Sequence, residues 1–302
     1  MFETCNRQYY YHYYGSWGGW NRTADARTRL LYQLKKMTTV PMLVGTVVHQ
    51  TISRVLEALQ TGREMPVDAA VEQTFRLFKQ GWQASKHGRW QQAPSKCVNL
   101  FEHYYNQPLT DTELREWQAR MERAVRTFYA ADYYRTFQSL PPAAWLSREA
   151  LEAFPFDGHT IWVTLDLAVR QNGNIYIYDW KTGKERKADE TQLAVYALYA
   201  TQKWHAPLQD LVLQDIYLQK GNRKIVEIDP DAIDQTGTEI RESIQTMQTH
   251  LDNPLENTAS EAHFSMTDNR NACDRCPFKS VCFPEPQPRS KPAAPEQLTL
   301  GF

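Results

Sequence analysis

Apolar residues in the stretch VGTVVHQTISRVLEAL (residues 44–59) recur at helical spacing. Val44, Val47, Val48, Ile52, Val55, Leu56 and Leu59 predict an amphipathic helix that also carries His49. A mainly helical region is predicted from about Val67 to Phe137. Its last helix is marked by Leu114, Trp117, Met121, Val125 and Phe128, and Thr110 with Glu113 forms a capping box at its start. After Pro141 and Pro142 the pattern shortens to a period of two. Residues 145–180 read as three strands separated by Asp157-Gly158 and Asn172-Gly173, both favourable hairpin turns. A helix over 189–204 follows, then a hairpin over 211–228 turning at Gly221-Asn222, and a last helix from Pro230 to Leu251. Strands and helices in this order make the chain α/β.

Three segments depart from that pattern. Residues 1–20 crowd Tyr9, Tyr10, Tyr11, Tyr13, Tyr14, Trp17 and Trp20 ahead of and among Gly15, Gly18 and Gly19. Residues 79–96 carry four Lys/Arg, no acid and two tryptophans, as expected of either a polar loop or a nucleic-acid contact. The end, PEPQPRSKPAAPE, is a proline-rich polar tether that cannot build a core.

Composition narrows the class of protein. The 302 residues are 42% hydrophobic and 23% charged, an ordinary globular balance. A net charge of −1 excludes a broad basic coat, so any nucleic-acid binding must come from local patches. The N-terminus lacks a signal-peptide core and no run of 18 apolar residues occurs, so a cytoplasmic protein without membrane contact is expected. Five cysteines clustered toward one end suit metal binding in a reducing compartment better than disulfides.

The candidate chemistry falls in two places. Cys273, Cys276 and Cys282 have the density of a metal site, but a closed tetrahedral site needs a fourth ligand. The second place is the strand IYIYDWK, where Asp179 and Lys181 flank Trp180 and share one face. Asp166 lies near the centre of the preceding strand, HTIWVTLDLAVR, about as far from the Asn172-Gly173 turn as Asp179. The two carboxylates are thus expected side by side, where they repel unless a cation lies between them. Oxygen donors of this kind suit Mg²⁺ or Mn²⁺, and a nearby lysine can orient water or stabilise developing charge.

A strand Asp, D-x-K on the next strand and a helix with Gln192 and Tyr196 as Q-x₃-Y resemble the PD-(D/E)XK nucleases of the RecB type. His49, in a G-x₃-H context from Gly45, is similar to that family's upstream signature. The resemblance implies a restriction-endonuclease-like core, a central mixed sheet flanked by helices, over residues 1–285, with a helical insertion at 63–140. It implies that His49, Asp166, Asp179 and the Trp180 carbonyl hold the metal. Lys181 would position or activate the attacking water, while Gln192 and Tyr196 orient Lys181 or a substrate phosphate. Glu149, one strand earlier, reads as an outer acid that is not counted in the site. The chain departs from the family's G-x-[IV]-D by having Val163-Thr164-Leu165-Asp166.

CRISPR-adaptation nucleases and AddB-type helicase–nuclease subunits form a subset with a [4Fe–4S] cluster, and the cysteines here resemble theirs. That resemblance makes Cys5 the fourth ligand beside Cys273, Cys276 and Cys282, in a loop over 263–285 that closes on the N-terminus. The tyrosines near Cys5 then read as packing around the cluster. Cys97 is a competing fourth thiol, and His263 would instead complete a Cys₃His zinc site. Finally, Gln297, Leu298, Leu300 and Phe302 fit Q-L-x-L-x-F, which resembles the hexapeptide that bacterial replication proteins dock on the sliding clamp. The implied function is metal-dependent DNA cleavage on single-stranded or frayed DNA, recruited to the clamp. A non-catalytic DNA-binding adaptor that kept the fold is the second expectation.

Overall fold

The computed structural model describes residues 1–284, so the peptide of Gln297, Leu298, Leu300 and Phe302 lies outside the described residues. Two compact units are present, each assembled from separated stretches of chain. The first takes in Met1–Val40, Gln80–Pro108 and the described residues from Ile244; the second takes in Pro41–Lys79 and Leu109–Ser243.

In chain order the elements begin with α1 (Asn6–Tyr10), continued by a π-helical turn over Tyr11–Gly15, then α2 (Ala26–Lys35) and β1 (Met37–Thr38). Next come α3 (Val40–Gln60), α4 (Val67–Lys86), β2 (Asn99–Leu100) and α5 (Phe101–Tyr104). Helices α6 (Asp111–Ala130) and α7 (Asp132–Gln138) lead into β3 (Trp145–Ser147), β4 (Ala150–Phe156), β5 (His159–Leu165), β6 (Leu167–Gln171) and β7 (Asn174–Lys181). The chain continues through α8 (Lys187–Trp204), β8 (Leu211–Tyr217), β9 (Asn222–Val226) and α9 (Pro230–Gln248) to the short α10 (Arg270–Asp274) and α11 (Lys279–Cys282). The capping box of Thr110 and Glu113 opens α6 as expected.

The second unit is built on a five-stranded sheet of order β3-β6-β7-β8-β9, in which β7 and β8 are parallel and the other pairs antiparallel. Strand β7 shows how the alternating sequence sorts the layers. Ile175 and Ile177 pack with Leu193, Tyr196 and Ala197 of α8 on one face. Tyr178 and Trp180 point to the other face, where Phe137 meets Tyr178 at 5.1 Å and Phe128 meets Trp180 at 5.3 Å between ring centres. This is the mixed sheet flanked by helices of a restriction-endonuclease-like fold.

The three strands expected over 145–180 are five. The first is interrupted at Arg148-Glu149 and the second at Asp166, so β4 and β5 pair only with each other as a separate two-stranded sheet. Glu149 has a left-handed backbone (φ 49°), which turns the chain out of the main sheet. Asp166 therefore occupies a break between strands instead of a strand centre. The hairpin after α8 reverses over Leu218–Gly221, and Asn222 already belongs to β9.

In the first unit, β1 pairs in parallel with β2, and Tyr11, Leu31, Leu34, Met37, Phe101 and Phe278 form a small apolar core. Trp82 and Trp90, the aromatic residues of the basic 79–96 segment, are buried, so that segment offers no tryptophan for base stacking. No helix among the described residues is long and apolar enough to cross a membrane.

Candidate active site

The two strand breaks and helix α3 bring three potential ligands together in the second unit. His49 Nδ1 lies 3.2 Å from Asp166 Oδ1 and 3.6 Å from Glu149 Oε1. One donor atom from each residue falls within 4.8 Å of the others, a spacing that admits a metal ion. Gly45 permits the helix to come in: a Cβ there would lie 3.2 Å from Thr182 Oγ1, just past the end of β7. Gly45, Thr46, His49, Gln50 and Glu149 line an open depression of about 650 Å³.

Burial disfavours a charged imidazole, yet the Asp166 carboxylate and the nearby Glu149 carboxylate outweigh it and push His49 up to about 10. Its ring thus carries a positive charge between two acids. Asp166 is also fixed from the sheet, since its Oδ2 accepts the backbone N–H of Trp180 at 2.6 Å. The Trp180 N–H thus touches the site, while its ring is buried on the far face of the sheet.

Asp179 and Lys181 share a face of β7, and Asp179 stands outside the trio. Its Oδ2 accepts from Lys181 Nζ at 2.6 Å, and its Oδ1 accepts from Gln192 Nε2 at 3.0 Å. Gln192 Oε1 in turn accepts from Lys181 Nζ at 2.8 Å. The Gln192 amide therefore spans the carboxylate and the ammonium. Tyr196 sets its orientation: the hydroxyl accepts from Gln192 Nε2 at 2.6 Å and donates to the Thr164 carbonyl at 2.8 Å. Gln192 and Tyr196 are one helical turn apart on α8, as this geometry requires.

Two further acids surround Lys181. Asp189 Oδ1 and Asp215 Oδ1 each lie 3.6 Å from Nζ. Asp215, beside Asp179 in the parallel β7–β8 pairing, is fully buried, and neither carboxylate oxygen accepts a hydrogen bond. Neither residue figures in the sequence-derived site. Asp215 in LVLQDIY, like Asp166, is a charge set among apolar strand residues, which is costly unless it is paired or metal-bound. Burial works against the Lys181 ammonium, but Asp179, Asp215 and Asp189 win and hold its pKa above the ordinary lysine value. Burial, then the charge of Asp166, pushes Asp179 up to about 7 despite Lys181.

A separate pocket lies in the first unit. Cys5, Cys273, Cys276 and Cys282 all line one small pocket, with Tyr11, Phe278 and Lys279 among its other walls. Burial pushes the Cys276 thiol up to about 12, and the neighbouring cysteines add to the shift. Cys97 and His263 are not part of this lining. His263 Nδ1 faces Asp252 Oδ1 at 2.9 Å instead. Of the aromatic N-terminus, Tyr11 is buried and rests on Phe278 at 5.4 Å.

A mixed sheet with D-x-K on one strand, an acid beside it and a histidine on the helix packed across them defines the fold and polar centre of a metal-dependent nuclease. The chain belongs to the PD-(D/E)XK nuclease superfamily, whose family model matches residues 1–283. Comparison with curated proteins returned no significant match.

The charges fix the direction of a pH effect. Asp179 binds its proton more tightly folded than unfolded, so its contribution to stability is complete below about 4 and lost as pH rises through about 7. The His49 contribution is complete below about 6.5 and lost as pH rises through about 10. In chelator, the melting temperature should therefore fall across the neutral range, and Asp179→Asn should flatten the lower part of that slope. Added Mn²⁺ should raise the melting temperature more at about pH 8 than at about pH 5, because protons then compete less for the ligands. Scanning fluorimetry over this range measures both.

Proposed function

We propose that the protein is a metal-dependent deoxyribonuclease of the RecB-like type, acting on single-stranded or frayed DNA. The observation that carries this reading is the Lys181 ammonium, locked on Asp179 and Gln192 beside the His49–Glu149–Asp166 trio. The nitrogen and oxygen donors of the trio suit Mg²⁺ or Mn²⁺, with Asp179 as the adjoining carboxylate. Such an ion would supply positive charge to a phosphoryl oxygen and acidify water.

The chain's own residues supply the rest. Lys181 stays protonated among three acids, so it serves as a hydrogen-bond donor and a source of positive charge, not as a general base. Its task is to orient the attacking water or to meet charge developing on the phosphate. Gln192 and Tyr196 are positioning residues that keep the ammonium from turning away. Together they favour catalysis over a DNA-binding adaptor, which would have no use for a lysine held this way.

The test is digestion of end-labelled single- and double-stranded DNA, linear and circular, with Mg²⁺ or Mn²⁺. Wild type should cut, while Asp179→Asn and Lys181→Ala, each still folded at the assay temperature, should lose on the order of 10³-fold in rate. A wild-type protein that binds DNA and cuts none of these substrates would make the adaptor reading correct.

The cysteine pocket is read as a [4Fe–4S] site with Cys5, Cys273, Cys276 and Cys282 as ligands. Four soft thiols lining one cavity support it. So does their spread: a single Zn²⁺ with bonds of about 2.3 Å would draw its thiolates within about 4 Å of one another. The groups of three ligands that close within 4.8 Å among the described residues include no such set of cysteines. The purified protein should be brown, absorb broadly near ~400 nm and contain iron and sulfide, and Cys276→Ser should bleach it. Zinc without iron would overturn the assignment.

The terminal Q-L-x-L-x-F peptide is read as a sliding-clamp ligand on a proline-rich tether, which would raise the local concentration of the enzyme at replicating DNA. Deleting residues 297–302 should abolish clamp pull-down and leave cutting of naked DNA intact.

A further inference from the structure

The first unit displays aromatic rings that its core does not use. After the π-helical turn the chain reverses through residues 16–20, pinned by Ser16, which is fully buried and donates from Oγ to the His12 carbonyl at 2.8 Å. On either side of the buried Gly19, Trp17 is 71% exposed and Trp20 51% exposed, with ring centres 5.0 Å apart. Trp20 also meets Tyr32 of α2 at 5.8 Å, and Tyr13 is 49% exposed on the preceding turn. Large apolar rings are seldom left in water in such a group without a binding role.

The mounting is rigid. A Cβ on Gly19 would lie 2.4 Å from Tyr32 Cβ and 2.6 Å from the Thr28 carbonyl oxygen, so the turn sits directly against α2. Gly18, at φ +78°, supplies the left-handed residue the turn requires. Neither tryptophan needs to find its position on binding, which lowers the entropic cost of stacking a ligand on it.

The charges beside these rings have one sign. Lys35 Nζ lies 5.7 Å from the Tyr13 ring centre, and Lys36 Nζ lies 5.7 Å from that of Tyr32. Among the described residues neither ammonium forms an ion pair with a carboxylate. Residues 12–36 contain five Arg/Lys and a single acid, Asp25, which caps the far end of α2. Of the five, Arg27 is engaged by Glu261. In a chain of net charge −1 this is a local basic patch, and it is interleaved with stacking surfaces.

We propose that Tyr13, Trp17, Trp20 and Tyr32, with Lys35 and Lys36, form a binding platform for single-stranded DNA, whose bases stack on the rings while its phosphates meet the lysines. Unpaired bases have free faces for such rings, whereas those of a duplex are stacked on one another. Choosing DNA over other polyanions rests on the nuclease reading; the stacking geometry does not.

The test is fluorescence anisotropy of a labelled oligothymidylate of about 12 nucleotides, in chelator, on a Lys181→Ala background so that nothing is cut. Trp17→Ala and Trp20→Ala should each weaken binding by about 5-fold or more, with Trp17→Phe retaining most of it. Lys35→Gln and Lys36→Gln should each reduce the slope of log affinity against log salt by about 0.7. Because Trp17, Trp20 and Lys36 are exposed and Lys35 is only half-buried, melting temperatures should stay close to the parental value. Unchanged affinity in both tryptophan variants would overturn the proposal, as would equal competition by duplex DNA or tighter binding of oligouridylate. Normal oligonucleotide binding by a wild type that never cuts would refute the nuclease reading and leave the platform standing.

Discussion

An excess of buried negative charge governs the second unit. Glu149, Asp166, Asp179, Asp189 and Asp215 gather around Lys181 and His49, and Arg186 reaches Asp189 from the surface at 3.6 Å. Four buried carboxylates and the half-buried Glu149 thus face two cations, Lys181 and the half-buried His49. At an effective dielectric near 20, two like charges 4 Å apart repel by about 4 kcal/mol, so this ratio cannot persist with every acid ionised. The protein relieves it by keeping His49 charged and by raising the proton affinity of Asp179 and Asp215. Both devices hold positive charge where a divalent cation would bring its own. The same imbalance that weakens the isolated fold is therefore a driving force for cation binding.

The backbone creates this imbalance through two interruptions of regular structure. Had β3 run on into β4 and β5 into β6, strand alternation would have set Glu149 and Asp166 by the pleat alone. Instead Glu149 takes a left-handed backbone, at a cost on the order of 1–3 kcal/mol for a non-glycine residue, and its N–H is kept by the Leu165 carbonyl at 2.9 Å. Both acids end at the point where the β4–β5 hairpin leaves the main sheet, directly under His49. Strain and charge repulsion coincide there, which is the usual mark of a site shaped for chemistry.

Much of this was legible in the sequence, because local periodicity and turn residues determine it. The amphipathic α3, the capping box of α6, the Asn172-Gly173 hairpin and the shared face of Asp179 and Lys181 all follow from spacings within one element. The strand breaks were hard to read, since no glycine or proline marks either one: only the short polar run Ser147-Arg148-Glu149 interrupts the first strand, and apolar alternation continues past Asp166. Glu149 was accordingly undervalued. Asp189 and Asp215 were missed for a different reason: their importance lies in a tertiary relation to Lys181. Asp215 nevertheless sits in an apolar strand, and the cost of burying it there was a signal open to the same reasoning as Asp166.

The first unit faces a different problem, because it joins parts of the chain more than 200 residues apart around a small core. Closing so long a loop costs entropy that grows only logarithmically with length, but the contacts must still offset it. The polar links between the ends include Glu261, which accepts from Arg7 and Tyr11 at 2.8 Å each and from Arg27, and bonds from Arg7 to the Phe264 carbonyl and from Tyr14 to Asn257. Ion pairs as exposed as these contribute at most about 1 kcal/mol apiece. Six buried apolar side chains add their share, yet thiols at both ends of the chain converge on one cavity, where burial disfavours ionisation of Cys276 and Cys282. Strong thiolate–metal bonds would reverse that preference and tie residue 5 to residues 273–282 more firmly than the surface charges can. In that view the cysteines do structural work, and the rigid mounting of the neighbouring N-terminal helices depends on it.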